Sequence, residues 1–277
     1  MLQRTKFSNG VHSISNEDYH SSNGISRSGL MEFKRSPYHY WYKYLSGECP
    51  PTQPTPNMAL GSLVHTLALE PEKLCLDYFV THQKARPKTG TGAHDKMLEE
   101  AAGRTILVQS ELDAGQEIAT ALQKHEMVQS LLANVQYEQS IYFTHEPTGL
   151  QCKVRPDMWL NRGVYDLKTT TDGTYRSFQT SAYKYGYYLQ AAMMHEALRS
   201  IDIKLEKFIF IAIETTAPYA IAIYLLDDEA LDFGLGQFNE LMTAMATCTA
   251  SYNWRSYGIQ NLSIPGYAKY DTLLEVE

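Results

Sequence analysis

Seven consecutive residues, Phe208 to Glu214 (FIFIAIE), constrain the fold more than any other stretch of this 277-residue chain. A strand that alternates apolar and polar residues has one wet face, whereas this one is apolar on both and must lie inside a sheet covered on each side. Helical periodicity supplies the cover, over 176–199 before it and 227–249 after it, with a further strand at Tyr219 to Leu226. Upstream the period changes. Glu138 to Thr144 alternates, EPTG at 146–149 is a turn, Leu150 to Leu160 reads as a second strand, Asn161-Arg162-Gly163 as a tight turn and Val164 to Lys168 as a third strand. The three form an expected antiparallel meander, and the order helices, three strands, helix, two strands, helix describes an α/β fold with a mixed central sheet flanked by helices.

The N-terminal part reads as mostly helical. Ser26 is placed to cap a helix carrying Leu30 and Phe33, and Ser36-Pro37 is a cap followed by proline at the first helical position. The aromatic run from Tyr38 to Leu45 is expected to be core, with an aromatic, basic DNA-facing surface as the rival reading. A proline-rich connector, Cys49 to Pro56, leads to a helix from Met58 to Glu70, where Leu60, Leu63, Val64 and Leu67 recur at helical spacing and Met58, Gly61 and His65 share a neighbouring stripe. Residues 83–94 hold Lys84, Arg86 and Lys88 without apolar periodicity and read as a basic loop, and 110–133 as one long amphipathic helix.

Composition bounds the function. With 44% hydrophobic and 20% charged residues the chain is of the globular class, expected to form one domain over 1–277, with a mostly helical part at 1–134 and a core at 135–277. No apolar run approaches ~18 residues and the N-terminus lacks a signal-peptide core, so a cytoplasmic protein without a membrane partner is expected. Cys49, Cys75, Cys152 and Cys248 are far apart in sequence and read as free thiols. Twenty-four Lys and Arg against 31 Asp and Glu give a net charge of −7, which argues against coating nucleic acid through bulk charge but suits a site for a divalent cation.

The chemistry-bearing residues cluster in the meander. Arg155-Pro156-Asp157 falls on the second strand and Asp166-Leu167-Lys168 on the third, and Asp166 and Lys168, two apart, leave the same face. Two carboxylates that close repel unless a cation lies between them, and hard oxygen ligands select Mg²⁺ or Mn²⁺. The Leu167 carbonyl is a further candidate ligand, and His65, a turn after Gly61 and Ser62, is a fourth. The bland reading is a cross-strand salt-bridge cluster with a core histidine.

These motifs, together with ISNEDYH and GIS near the start, GSLVHTLALEPE, TGLQCKVRPD, YDLKTT and YGYYLQAA, resemble the PD-(D/E)xK nuclease superfamily in its RecB-like branch, and most closely the RecE (exonuclease VIII) family, over nearly the whole chain. The resemblance implies a restriction-endonuclease-like fold and a metal-dependent site of His65, Asp157, Asp166 and Lys168, with Gln190 on the following helix positioning lysine, water or phosphate and Tyr188 beside it on DNA. Glu138 is a candidate for holding a second ion or supporting the first. Asp166 stands where the wider superfamily has glutamate, and Cys248 is alone in the last hundred residues, so no iron-sulfur cluster is expected. Also implied are a bacterial or prophage source, Mg²⁺-dependent 5′→3′ digestion of linear double-stranded DNA to a 3′ overhang, a RecT-like single-strand annealing partner, and a homo-oligomeric ring, trimer or tetramer. Arg27, Lys34, Arg35, Lys84, Arg86 and Lys88 are candidates for the DNA-facing surface. A non-catalytic DNA-end or partner-binding scaffold, and a nuclease of endonuclease or single-strand specificity, are the competing readings.

Overall fold

The structure is a computed structural model that describes residues 5–50, 54–132 and 135–264. Its elements in chain order are β1 (Gly10–His12), α1 (Asn16–Ser21), α2 (Arg27–Arg35), α3 (Pro37–Tyr44), α4 (Pro56–Leu69), α5 (Leu74–Asp77), β2 (Tyr78–Thr81), α6 (Gly92–Ala101), β3 (Thr105–Val108), α7 (Gln109–Lys124) and α8 (Glu126–Leu132). The second half adds β4 (Gln136–Tyr137), β5 (Ser140–His145), β6 (Leu150–Val154), β7 (Met158–Leu160), β8 (Gly163–Thr170), α9 (Tyr175–Lys184), α10 (Tyr187–Arg199), β9 (Lys207–Glu214), β10 (Ile221–Leu225) and α11 (Asp228–Ser251). Among these residues no helix is long and apolar enough to cross a membrane, and all four cysteines are free thiols.

The apolar strand lies where its composition demands. A five-stranded mixed sheet runs β10-β9-β8-β7-β4, with β8 and β9 parallel and the other pairs antiparallel. Phe208, Phe210 and Ala212 of β9 pack into the core built with α2, α10 and α11, while Ile209, Ile211 and Ile213 pack into the one built with α4, α7 and α8. The fold is thus the restriction-endonuclease-like α/β arrangement, a mixed sheet between helical layers.

Four sequence expectations need correction. The second strand is not continuous, because Arg155-Pro156-Asp157 interrupts it: β6 pairs with β5 and β1 in a separate three-stranded sheet, while β7 pairs with β8 in the main one. Proline has no N–H for a ladder, and it stands where the chain changes sheets. The helix expected over 176–199 breaks at Gly186, whose φ of 70° lies in the left-handed region. The helix over 110–133 breaks at His125, and residue 133 lies outside the described residues. The run from Tyr38 forms α3, as its Ser36 cap foretells, yet none of the α3 residues is fully buried; Tyr40 stacks on Trp254 while Tyr38 and Tyr42 are exposed. Part of the proline-rich connector, residues 51–53, lies outside the described residues. The parallel pair β2-β3 had no expectation at all.

Candidate active site

The interruption at Pro156 creates the site. Because β7 pairs with β8 only at Gly163, Val164 and Tyr165, the edge of β8 beyond Tyr165 is open on that side. Asp157 fills it from the interruption, its Oδ2 accepting the Leu167 N–H at 2.8 Å. From α4, His65 Nε2 lies 2.9 Å from the Leu167 carbonyl oxygen. A carbonyl only accepts, so Nε2 carries the hydrogen. Helix α4 reaches this edge because it has no side chain at Gly61, where a Cβ would meet Thr169 Oγ1 at 3.1 Å.

On the face towards α10, Asp166 is 1% exposed; Gln190 donates to its Oδ1 and the Lys168 ammonium contacts its Oδ2. The Tyr187 ring lies 4.9 Å from the same ammonium. Glu138, with φ of 52°, accepts from Arg155, and its amide bonds to the Asp157 carbonyl. A non-glycine residue in that region is strained, and such residues concentrate at functional sites.

Electrostatics follow from crowding. Burial and the neighbouring Asp166 carboxylate push the Asp157 carboxyl up to about 8. Burial pulls the Lys168 amine down, but Asp166 and Asp157 outweigh it and the group is held above its usual value, as an ammonium. His65 is lowered, by burial and then by Lys168, so its imidazole is neutral near pH 7. Burial and then Asp157 raise Glu138, against Arg155.

A neutral His65 with hydrogen on Nε2 presents a bare Nδ1 lone pair to Asp157 Oδ2, 3.5 Å away. Two acceptors at that distance call for a proton or a cation. The carboxamide oxygen of Gln190 is likewise buried with no donor among the described residues. Carboxylates, a carbonyl and one neutral imidazole suit a hard divalent ion. Among the described residues no three His, Cys, Asp or Glu side chains form a ready-made cage, and the Lys168 ammonium supplies the positive charge against Asp166, so a divalent ion there requires that ammonium to turn aside.

The remaining candidates are scattered. Tyr188 faces away from the site, edge-on to Phe233 of α11 at 5.9 Å, and it is Tyr187 that meets Lys168. Helical spacing held this signal, since Tyr187 and Gln190 are three apart and share a face. Arg86 is tied down by a two-pronged bond to Glu111 and one to the Ile106 carbonyl. Lys34 lies over Tyr183, and Lys84, Lys88 and Arg35 are exposed. Arg27 lines a cavity that also includes Gln190.

The family described as a PDDEXK-like domain of unknown function (DUF3799) matches residues 26–259. No curated protein matches the sequence. Among solved structures, a candidate exonuclease from Eubacterium rectale is 15% identical over 96% of each chain with a TM-score of 0.62. A phage-related exonuclease from Haemophilus somnus 129PT is 13% identical over 69% of this chain and 95% of its own, with a TM-score of 0.33. At such identities the likeness concerns the fold alone, and it rests on the first of the two.

Proposed function

Because the chain belongs to the PDDEXK-like family, within the PD-(D/E)xK nuclease superfamily, we propose that it is a divalent-metal-dependent nuclease of the RecE kind. In this reading it digests the 5′-ended strand of linear duplex DNA and leaves a 3′ overhang for annealing by a RecT-like protein. It works as a homo-oligomeric ring, with Mg²⁺ as the ion and Mn²⁺ as its substitute. The observation that carries the reading is the open edge of β8, where Asp157, Asp166, Lys168 and His65 gather around Leu167.

Asp157, Asp166, the Leu167 carbonyl and His65 would hold the ion. Bound there, it would neutralise the phosphate and lower the pKa of a coordinated water. Lys168, kept charged by its two carboxylates, orients the attacking water and offsets negative charge on the phosphorus oxygens in the transition state. Gln190 fixes the direction of Asp166, and the Tyr187 ring confines the ammonium. Glu138 and Arg155 hold the interruption in place beside Asp157. Lys84, Lys88, Lys34 and Arg35 belong to the DNA-facing surface in this reading, while the engaged Arg86 positions the loop that carries Lys84 and Lys88.

Linear duplex DNA labelled separately at each 5′ and 3′ end, incubated with and without Mg²⁺ beside a closed circle, tests the proposal. Mg²⁺-dependent release of the 5′ label first, with the circle intact, is expected. Cleavage of the circle makes it an endonuclease, and absence of any Mg²⁺- or Mn²⁺-dependent cleavage makes it a binding scaffold.

A further inference from the structure

Behind the open edge of β8 lies a cavity of about 360 Å³. We propose that it is a binding pocket for a small uncharged apolar molecule, an effector that tightens the hold of the site on its ion. The inference deepens the nuclease reading, since the ion belongs to that reading, but the pocket stands on its own walls.

Those walls are the backs of the elements that carry the site. Leu167 lines the cavity, and its peptide is the one that bonds Asp157 through the N–H and His65 through the carbonyl. Met158 lines it too and directly follows Asp157 in the chain. From α4 come Ala68 and Leu69, three and four residues after His65 and so on its side of the helix. An occupant would therefore touch strand, interruption and helix at once, the three pieces whose relative placement sets the spacing of carboxylates, carbonyl and imidazole. Filling the cavity adds contacts to Leu167 and Met158 and stiffens the back of the site, so less ordering is left for the ion to impose.

The lining selects the occupant. Leu122 of α7, Val128 of α8 and Ile211 of β9 close the remaining sides, and like Leu167 and Met158 each is no more than 2% exposed. None of the lining residues is charged; the polar ones are Gln123 and Gln129, both exposed at the mouth, where the Gln129 amide donates to the Gln123 carbonyl. Protein interiors leave few voids larger than a water molecule, and water gains too few hydrogen bonds from such walls to compete with hydrocarbon. A carboxylate or ammonium would lose its hydration with no partner to replace it. About a dozen non-hydrogen atoms fit, taking for each the roughly 30 Å³ that one water occupies in the liquid. The ligand class is therefore aliphatic or aromatic, with at most one neutral polar group to meet the carboxamides at the mouth.

Indole, an uncharged ring that fits this volume, is the probe. In EDTA, with the methionine methyls isotopically labelled and the Met158 resonance identified by its loss in Met158→Leu, indole should shift that resonance saturably and raise the melting temperature. Indole-3-acetate, the same ring with a carboxylate, should bind about tenfold more weakly or worse. Ala68→Trp and Val128→Phe, on different walls, should each fill the cavity and remove indole binding; should either fail to fold, the Met158 shift in the wild type still decides. In metal-containing buffer, saturating indole should tighten Mn²⁺ binding about fivefold or more, and saturating Mn²⁺ should tighten indole by the same factor. No shift at Met158, or undiminished indole binding in both folded variants, would overturn the pocket. Mn²⁺ affinity unmoved at saturating indole would overturn the effector role. Indole that tightens Mn²⁺ on a protein that cuts no DNA would sink the nuclease reading and keep the pocket with its coupling. Mg²⁺-dependent cleavage with no shift at Met158 would keep the nuclease and overturn the pocket.

Discussion

The two edges of β8 are built for different work. On one, all eight residues from Gly163 to Thr170 pair with β9. On the other, three residues pair with β7 and the strand then stands open to Asp157 and His65. A strand edge is a row of donors and acceptors, and an unbroken neighbour satisfies it completely. Interrupting that neighbour at Pro156 gives up ladder bonds and leaves Leu167 to aim a carboxylate and an imidazole. On the proposed function, stability is concentrated at the closed edge and chemistry at the open one, so substitutions at the two should fail differently.

The largest effect is expected at the open edge. Asp166→Ala or Asp157→Ala should lower Mg²⁺-dependent cleavage by about a thousandfold or more; Asp157→Ala should leave the melting temperature nearly unchanged, since the repulsion it relieves offsets the lost bond to the Leu167 amide, whereas Asp166→Ala should lower it, since the buried Lys168 ammonium and Gln190 amide lose their partner. Lys168→Ala should retain DNA-end binding and lose kcat by roughly 10²–10⁴-fold; an equal loss in binding would make the lysine a phosphate anchor. The closed edge should show the reverse. Ile213, fully buried on β9 opposite Thr169, should lose about 2–5 kcal/mol of stability on truncation to alanine, read by urea denaturation, with kcat per folded molecule little changed.

A pH experiment sharpens the contrast. Asp157 has a folded pKa raised to about 8, above its unfolded value near 4, so its favourable contribution is complete only below the unfolded value and is lost as pH rises through about 8. Asp157→Asn keeps an acceptor for the Leu167 amide and removes the charge. In EDTA it should therefore raise the melting temperature more at pH 9 than at pH 6. An equal change at both pH values would mean that the carboxyl is not strained by its surroundings.

What was legible in the sequence follows the same division. Phe208 to Glu214 declared a doubly covered strand because periodicity is local, and Ser26, Ser36 and Pro37 declared helix starts because caps are local too. The interruption was not legible: LQCKVRPDMWL alternates on both sides of Pro156, and the divergence of β6 and β7 into two sheets depends on partners far away in the chain. Nor did a lone glycine at 186 reveal a helix break: its left-handed φ and the close approach of Met31, which leaves no room for a Cβ, arise from a residue far away in the chain. In the site, Asp166 and Lys168 were readable from the two-residue period of a strand. The bond from His65 to a backbone carbonyl was not, because no side-chain pattern encodes which peptide oxygen a helix will meet.

His65 is where the comparison is most finely balanced, and the expected effect is smallest. It lies on α4 among residues of the closed core, Leu63, Val64 and Leu67, yet its ring reaches the open edge and is partly exposed. Removing it deletes one hydrogen bond to the Leu167 carbonyl, which solvent can replace at this half-buried position, so His65→Ala should cost only about 1 kcal/mol in EDTA. As a metal ligand it should matter more when the ion is present, with Mn²⁺ affinity falling roughly 10–100-fold. Because burial and Lys168 hold the imidazole below the usual histidine range, the wild-type protein should lose affinity through this group only as pH falls beneath that range. A large loss of stability in EDTA with Mn²⁺ affinity unchanged would move His65 to the closed side of the molecule and leave the open edge to the two aspartates and Lys168.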